Sequence, residues 1–159
     1  MAVELDDLDR KLVSLLLRDG RTPASQLADK IGLSRPAVAE RIEKLERNGV
    51  IRGTTVVLEP AALGLQITAF VSARSVSHMS AATWKAFDAL MRKSDEVLEV
   101  HTVAGDDCYL IKLRTDSIAT LNTLVAKLTA PPLLLTTRTT IVMQTHCEKV
   151  GGITLGEPS

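Results

Sequence analysis

Residues Gly32–Ile51 read GLSRPAVAERIEKLERNGVI. Ser34 stands where a helix needs an oxygen for its free amino-terminal N–H groups, Pro36 falls in the first turn where a missing N–H costs nothing, and Gly49 supplies the stop. At about 100° per residue, Val38, Ile42 and Leu45 share one side, leaving Pro36, Glu40, Lys44 and Arg47 opposite and Ala37 and Arg41 on the flank. Ala37 and Ala39 are small enough to let the start of this helix approach a groove closely. Yet Glu40, Glu43 and Glu46 alternate with Arg35, Arg41, Lys44 and Arg47. Alone, that pattern also fits a solvated helix laced by Glu/Lys and Glu/Arg pairs, each worth only about 0.2–0.5 kcal/mol.

The neighbouring sequence decides between these readings. Leu8, Leu12, Leu15 and Leu16 have the spacing of one helical face, with Asp6 as cap and Gly20 as stop, which predicts a first helix over roughly 7–18. A second helix is expected from Thr22 and Pro23 to Gly32, with Thr22 as its cap. After the third helix, VIRGTTVVL with Gly53 as its turn reads as a short β-hairpin. Helix, helix, Gly-turn, helix and hairpin together describe a winged helix-turn-helix unit.

From about Leu65 the period changes to two. ITAFVSA puts Ile67, Ala69, Val71 and Ala73 on one side of a strand. A helix over roughly 80–92 follows, carrying Trp84, Phe87, Leu90 and Met91. VLEVHTV, AGDD and CYLIKLR then form a strand, turn and strand. Asp116 is expected to cap a helix with Ile118, Leu121, Leu124, Val125 and Leu128 on its apolar face; Pro131 and Pro132 end it, and LLLTTRTTIVM supplies a final strand. The fold class is therefore α+β, an amino-terminal winged helix-turn-helix followed by a ferredoxin-like βαββαβ sheet with both helices on one face. The expected division is 1–58 for the first domain (helix-turn-helix about 24–48, hairpin 50–58), 59–65 for the linker around Pro60, 66–143 for the second domain and 144–159 for a tail.

Charge is informative in its distribution. The 159 residues hold 19 Lys plus Arg and 19 Asp plus Glu, so the total gives no argument for a polyanionic partner. Residues 1–29 contain four basic and six acidic side chains, near −2, whereas 30–53 contain six basic and three acidic, near +3. A hydrophobic content of 45% with 24% charged residues indicates a folded chain. No apolar run reaches the ~18–20 residues that span a bilayer, and MAVELDDLDRK is acidic where a signal peptide is basic, so the expected location is cytoplasmic. Cys108 and Cys147 make no CxxC pair and read as free thiols.

Several stretches together resemble the leucine-responsive regulatory protein/AsnC family of transcription regulators across residues 5–143. They are LDDLDRKLVSLLLRDGR, QLADKIGLSRPAVAERIEKLERNGVI, LGLQITAFV, VHTVAGDDCYLIKL and TTIVM. The resemblance implies an amino-terminal unit that reads double-stranded DNA, and a carboxy-terminal unit that dimerises, assembles dimers commonly to octamers, and senses amino acids. It places an effector pocket beside the turn formed by Val103, Ala104, Gly105, Asp106, Asp107 and Cys108. Many members have G-D-x-D-Y there, whereas here Cys108 replaces the second acid and removes a charge-assisted hydrogen bond to an effector's ammonium. A different effector, a weaker one or none are the readings left. As turn chemistry alone, Gly and Asp are also what a hairpin demands.

With that resemblance the third helix reads as a DNA-contacting element. Arg41 and Lys44 are expected phosphate clamps, Ser34, Arg35, Pro36, Ala37 and Glu40 are placed for base edges or register, and Arg52 extends the basic surround. Glu40 can accept from a cytosine amino group. Glu43 and Glu46 are expected to pair within the helix or face its neighbour. No catalytic residue, cofactor or metal site is expected: Asp106 and Asp107 diverge on extended backbone, and consecutive His146, Cys147 and Glu148 do not converge on one ion. The alternative function is that of a tetrapyrrole (siroheme) decarboxylase, since some such enzymes resemble this family in fold and use histidines near the tetrapyrrole. Three histidines and an intact, locally basic helix-turn-helix argue against it. RNA binding by the βαββαβ unit lacks the exposed aromatics that base stacking requires.

Overall fold

The computed structural model describes residues 3–75 and 79–149, and the chain divides into two compact units. Of the described residues, 3–57 and 147–149 make up one, and those between Leu58 and His146 the other. Each has its own hydrophobic core.

The first unit holds α1 (Asp7–Arg18), α2 (Ala24–Ile31) and α3 (Arg35–Arg47). Asp6 caps α1 by accepting the Asp9 N–H at 2.7 Å. Thr22 does not cap α2. Its hydroxyl donates to the Asp19 carbonyl, and Pro23 occupies the cap position without a side-chain bond. Between α2 and α3 the chain turns at Gly32, φ 74°, the left-handed conformation that glycine adopts without a Cβ penalty. Leu12, Leu27, Ala28, Ile31, Val38 and Leu45 form the core.

The expected hairpin over 50–58 is absent: no strand forms over residues 51–59. The backbone explains this. The Val50 and Ile51 N–H groups both donate to the Leu45 carbonyl, closing the end of α3, and both side chains pack on the helical core. They are thereby unavailable as a first hairpin strand, and residues 52–59 are an exposed arm with Val56 69% exposed.

In the second unit a 3₁₀ turn, Pro60–Leu63, leads into β1 (Ile67–Arg74), α4 (Ala81–Lys93), β2 (Val97–Thr102), β3 (Tyr109–Thr115), α5 (Ile118–Thr129) and β4 (Thr136–Ile141). All pairings are antiparallel and the strand order is β2-β3-β1-β4, the ferredoxin-like arrangement. Ala69, Val71 and Ala73 of β1 and Ile111 and Leu113 of β3 meet Phe87 and Met91 of α4 and Leu121, Leu124 and Leu128 of α5 on one face. Alternation sends Thr68, Phe70 and Ser72 to the other face, opposite Arg114, Lys112 and Leu110.

Two local expectations are corrected. Ser117, not Asp116, caps α5 by accepting the Thr120 N–H, while Asp116 takes the Thr115 and Thr120 hydroxyls. The leucine run does not begin β4: Leu133 and Leu135 enter the core, Leu134 adopts φ 49° between them and stays exposed, and extended pairing starts only at Thr136. The tail beyond residue 149 lies outside the described residues. His146, Cys147 and Glu148 are exposed, and no group of three His, Cys, Asp or Glu suited to a metal occurs among the described residues.

Candidate functional site

The first candidate surface is the outer side of α3. Ser34 Oγ accepts the Ala37 N–H at 3.4 Å, so the helix begins where the sequence reading puts it. Val38 and Leu45 are buried and Ile42 half-buried; Ser34, Arg35, Pro36, Glu40, Lys44 and Arg47 are exposed and Ala37 is half-buried. Arg47 reaches Glu43 at 3.4 Å along the helix, an exposed pair of little energetic weight. Among the described residues Arg35 and Lys44 on α3, and Arg52 on the exposed segment that follows it, pair with no acid.

Arg41, expected as a phosphate clamp, lies half-buried on the flank of α3. Its Nη1 donates to Asp6 Oδ2 at 2.7 Å and to Asp9 Oδ1 at 2.6 Å, and Asp9 is only 3% exposed. The physical reason is that a carboxylate this deep needs a counter-charge, and the flank of α3 brings the guanidinium over the start of α1. The Asp9 N–H and the Arg41 guanidinium hold the Asp6 carboxyl below its ordinary range, and the two acids raise Arg41.

The second candidate site is the β2–β3 hairpin loop, residues 103–108. The Val103 N–H donates to the Cys108 carbonyl and the Cys108 N–H to the Ala73 carbonyl, both at 3.0 Å, which anchors the loop to β1. Ala104, Gly105 and Asp106 are exposed; Val103, Asp107 and Cys108 are half-buried. Gly105 has φ 129°, and a Cβ there would meet open space. Asp107 Oδ2 accepts from Arg138 Nη2 of β4 at 3.1 Å.

Immediately after the loop, Tyr109 packs against Trp84 and Phe87 with ring centroids 5.6 and 4.8 Å away, and its hydroxyl donates to Met79 Sδ. Burial, and secondarily Cys108, pushes the Tyr109 phenol up. Trp84, read from spacing as core or interface, is stacked here yet 44% exposed. On the open face His101 and Lys112 both bond the Glu99 carboxyl and hold it below its ordinary range.

Arg138 was not singled out by sequence reasoning. Its one signal was a lone cation in TTRTT; its partner became visible only when strand order put β4 beside β1.

A three-helix unit with a capped third helix whose polar side is exposed, followed by an α+β unit with an exposed hairpin loop, is the architecture of a helix-turn-helix regulator with a second, α+β domain. The AsnC-type helix-turn-helix domain model matches residues 5–46, and the Lrp/AsnC ligand binding domain model matches residues 68–151. The chain is 32% identical over 148 residues to the HTH-type transcriptional regulator FL11 of Pyrococcus abyssi, covering 93% of this chain and 95% of that one. It is 39% identical over 129 residues to the glutamate uptake regulatory protein of Zymomonas mobilis, covering 80% and 77%. A solved structure of the feast or famine regulatory protein of Mycobacterium tuberculosis, complexed with L-methionine, superposes with a TM-score of 0.83 at 31% identity, covering 95% and 100%. The chain belongs to the Lrp/AsnC family of transcriptional regulators.

Proposed function

We propose that the chain acts as a homodimer, or a higher assembly of dimers up to an octamer, that sets paired α3 helices against the major groove of double-stranded DNA. An amino acid or related metabolite at the 103–108 hairpin would be its signal. One observation carries the DNA half: α3 buries its apolar side while Ser34, Arg35, Pro36, Glu40 and Lys44 stay exposed. Lys44 and Arg52 then serve as phosphate contacts, and Ser34, Arg35, Pro36, Ala37 and Glu40 set register and base readout. So few free cations bind weakly in one copy, so pairing is part of recognition. The effector half is supported by the exposed loop with Asp106 at its tip, and by the methionine complex of the mycobacterial relative. The tetrapyrrole-decarboxylase reading gains no support from this family assignment. No helix among the described residues is long and apolar enough to cross a membrane.

The direct experiment is selection of bound fragments from the organism's own genome, with and without a panel of amino acids. Pseudo-palindromic sites are expected, with half-sites about 34–36 Å apart or multiples of it. Failure to enrich any sequence sinks the DNA half. Lys44→Ala should weaken binding to every fragment and lower the slope of log affinity against log salt by about one per protomer. An unchanged slope removes Lys44 from the phosphates.

The single tryptophan offers an effector readout, since Trp84 lies 5.6 Å from Tyr109. Titration with the effector should change its emission. Gly105→Arg should abolish that response without unfolding the unit, because the new side chain points into open space and the strain at φ 129° costs about 1–3 kcal/mol. A full response in that variant moves the site elsewhere.

A further inference from the structure

Arg41 sits on the helix read as the DNA-contacting element, yet its charge is directed inward. Asp6 divides its two oxygens: Oδ1 accepts the Asp9 N–H and caps α1, and Oδ2 accepts from Arg41. The same Arg41 Nη1 also reaches the buried Asp9. The backbones of α1 and α3 approach each other only sparsely, because α2 packs against both. This cluster is therefore a direct polar bond between two helices that otherwise meet through the apolar core that Leu12 shares with Val38 and Leu45.

We propose that Arg41 is a positioning residue: anchored by Asp6 and Asp9, it fixes the orientation in which α3 is presented, and it makes no phosphate contact. The proposal rests on the reading of α3 as a DNA-contacting helix. Three charges on the cluster sum to −1, so a purely Coulombic view and the positioning view predict opposite outcomes when an acid is neutralised. Removing a carboxylate near a polyanion strengthens binding if charge alone matters, and more so if it frees Arg41 to reach a phosphate. It weakens specific binding if the anchored geometry matters.

The test uses full-length Asp6→Asn, Arg41→Ala and Arg41→Lys proteins on the best fragment from the genomic selection and on a scrambled fragment. Asparagine retains the capping oxygen while losing the charge, so α1 is not penalised. Asp6→Asn and Arg41→Ala are each expected to lower affinity for the selected fragment about tenfold, with little change on the scrambled one and an unchanged salt slope. Arg41→Lys should recover most of the loss, since the ammonium keeps the charge between the two acids. Tighter binding by Asp6→Asn, or a shallower salt slope in Arg41→Ala, overturns the proposal and returns Arg41 to the phosphates. If Arg41→Ala does not fold, the exposed Asp6→Asn variant still decides by the sign of its effect. Absence of any fragment preference in the unsubstituted protein instead sinks the DNA-binding reading itself.

Discussion

Leu45→Ala will abolish DNA binding at physiological temperature while leaving the βαββαβ unit folded. Leu45 is 2% exposed in the six-residue core of the first unit, on the inward side of α3. Truncating a buried leucine costs about 2–5 kcal/mol through lost transfer energy and the cavity left behind. Whole domains are stable by about 5–15 kcal/mol, and small ones sit at the lower end because they bury a smaller share of their surface. A three-helix unit with so small a core has little to spare. Circular dichroism should show helix loss in one thermal phase only. Near-normal DNA affinity with a melting point within a degree or two of the parent would show that Leu45 does not hold α3 in place.

Phe87→Ala is the corresponding lesion in the second unit, at about 3–5 kcal/mol. Phe87 is 1% exposed, and it fills the space between α4 and the sheet while contacting both other rings of the aromatic cluster: Trp84 at 5.4 Å and Tyr109 at 4.8 Å. Its removal should lower that unit's melting transition by roughly 12 °C or more. Trp84 loses a stacking partner, so its emission should shift to the red. Because Tyr109 follows directly on the hairpin loop, effector affinity should fall before the fold is lost. An unshifted Trp84 spectrum would mean that the three rings do not form one packed cluster in solution.

Helix positions were largely legible because they are encoded within one or two turns. The periodic leucines and the Asp6 cap predict a first helix over roughly 7–18, and α1 runs Asp7–Arg18; Ser34, Pro36 and Gly49 place α3 equally well. Where the local reading slipped, the group took another nearby partner. Thr22 donates its hydroxyl to the Asp19 carbonyl, Asp116 accepts two threonine hydroxyls, and the Val50 and Ile51 N–H groups donate to the Leu45 carbonyl. Each candidate cap or strand was chemically suitable, but which partner a group takes depends on how the backbone around it is placed.

The order of elements, the ferredoxin-like pattern of the second unit and the apolar side of α3 were all legible in the residues, because periodicity and capping are local properties. What the charged side chains do depends on packing. Arg41 is 35 and 32 residues from the two acids that hold it, and Arg138 is 31 from Asp107. No local pattern carries pairings at such separations. Helix and strand packing bring these charges together, and the demand of the buried Asp9 carboxylate for a counter-charge holds Arg41, on the flank of α3, over the start of α1.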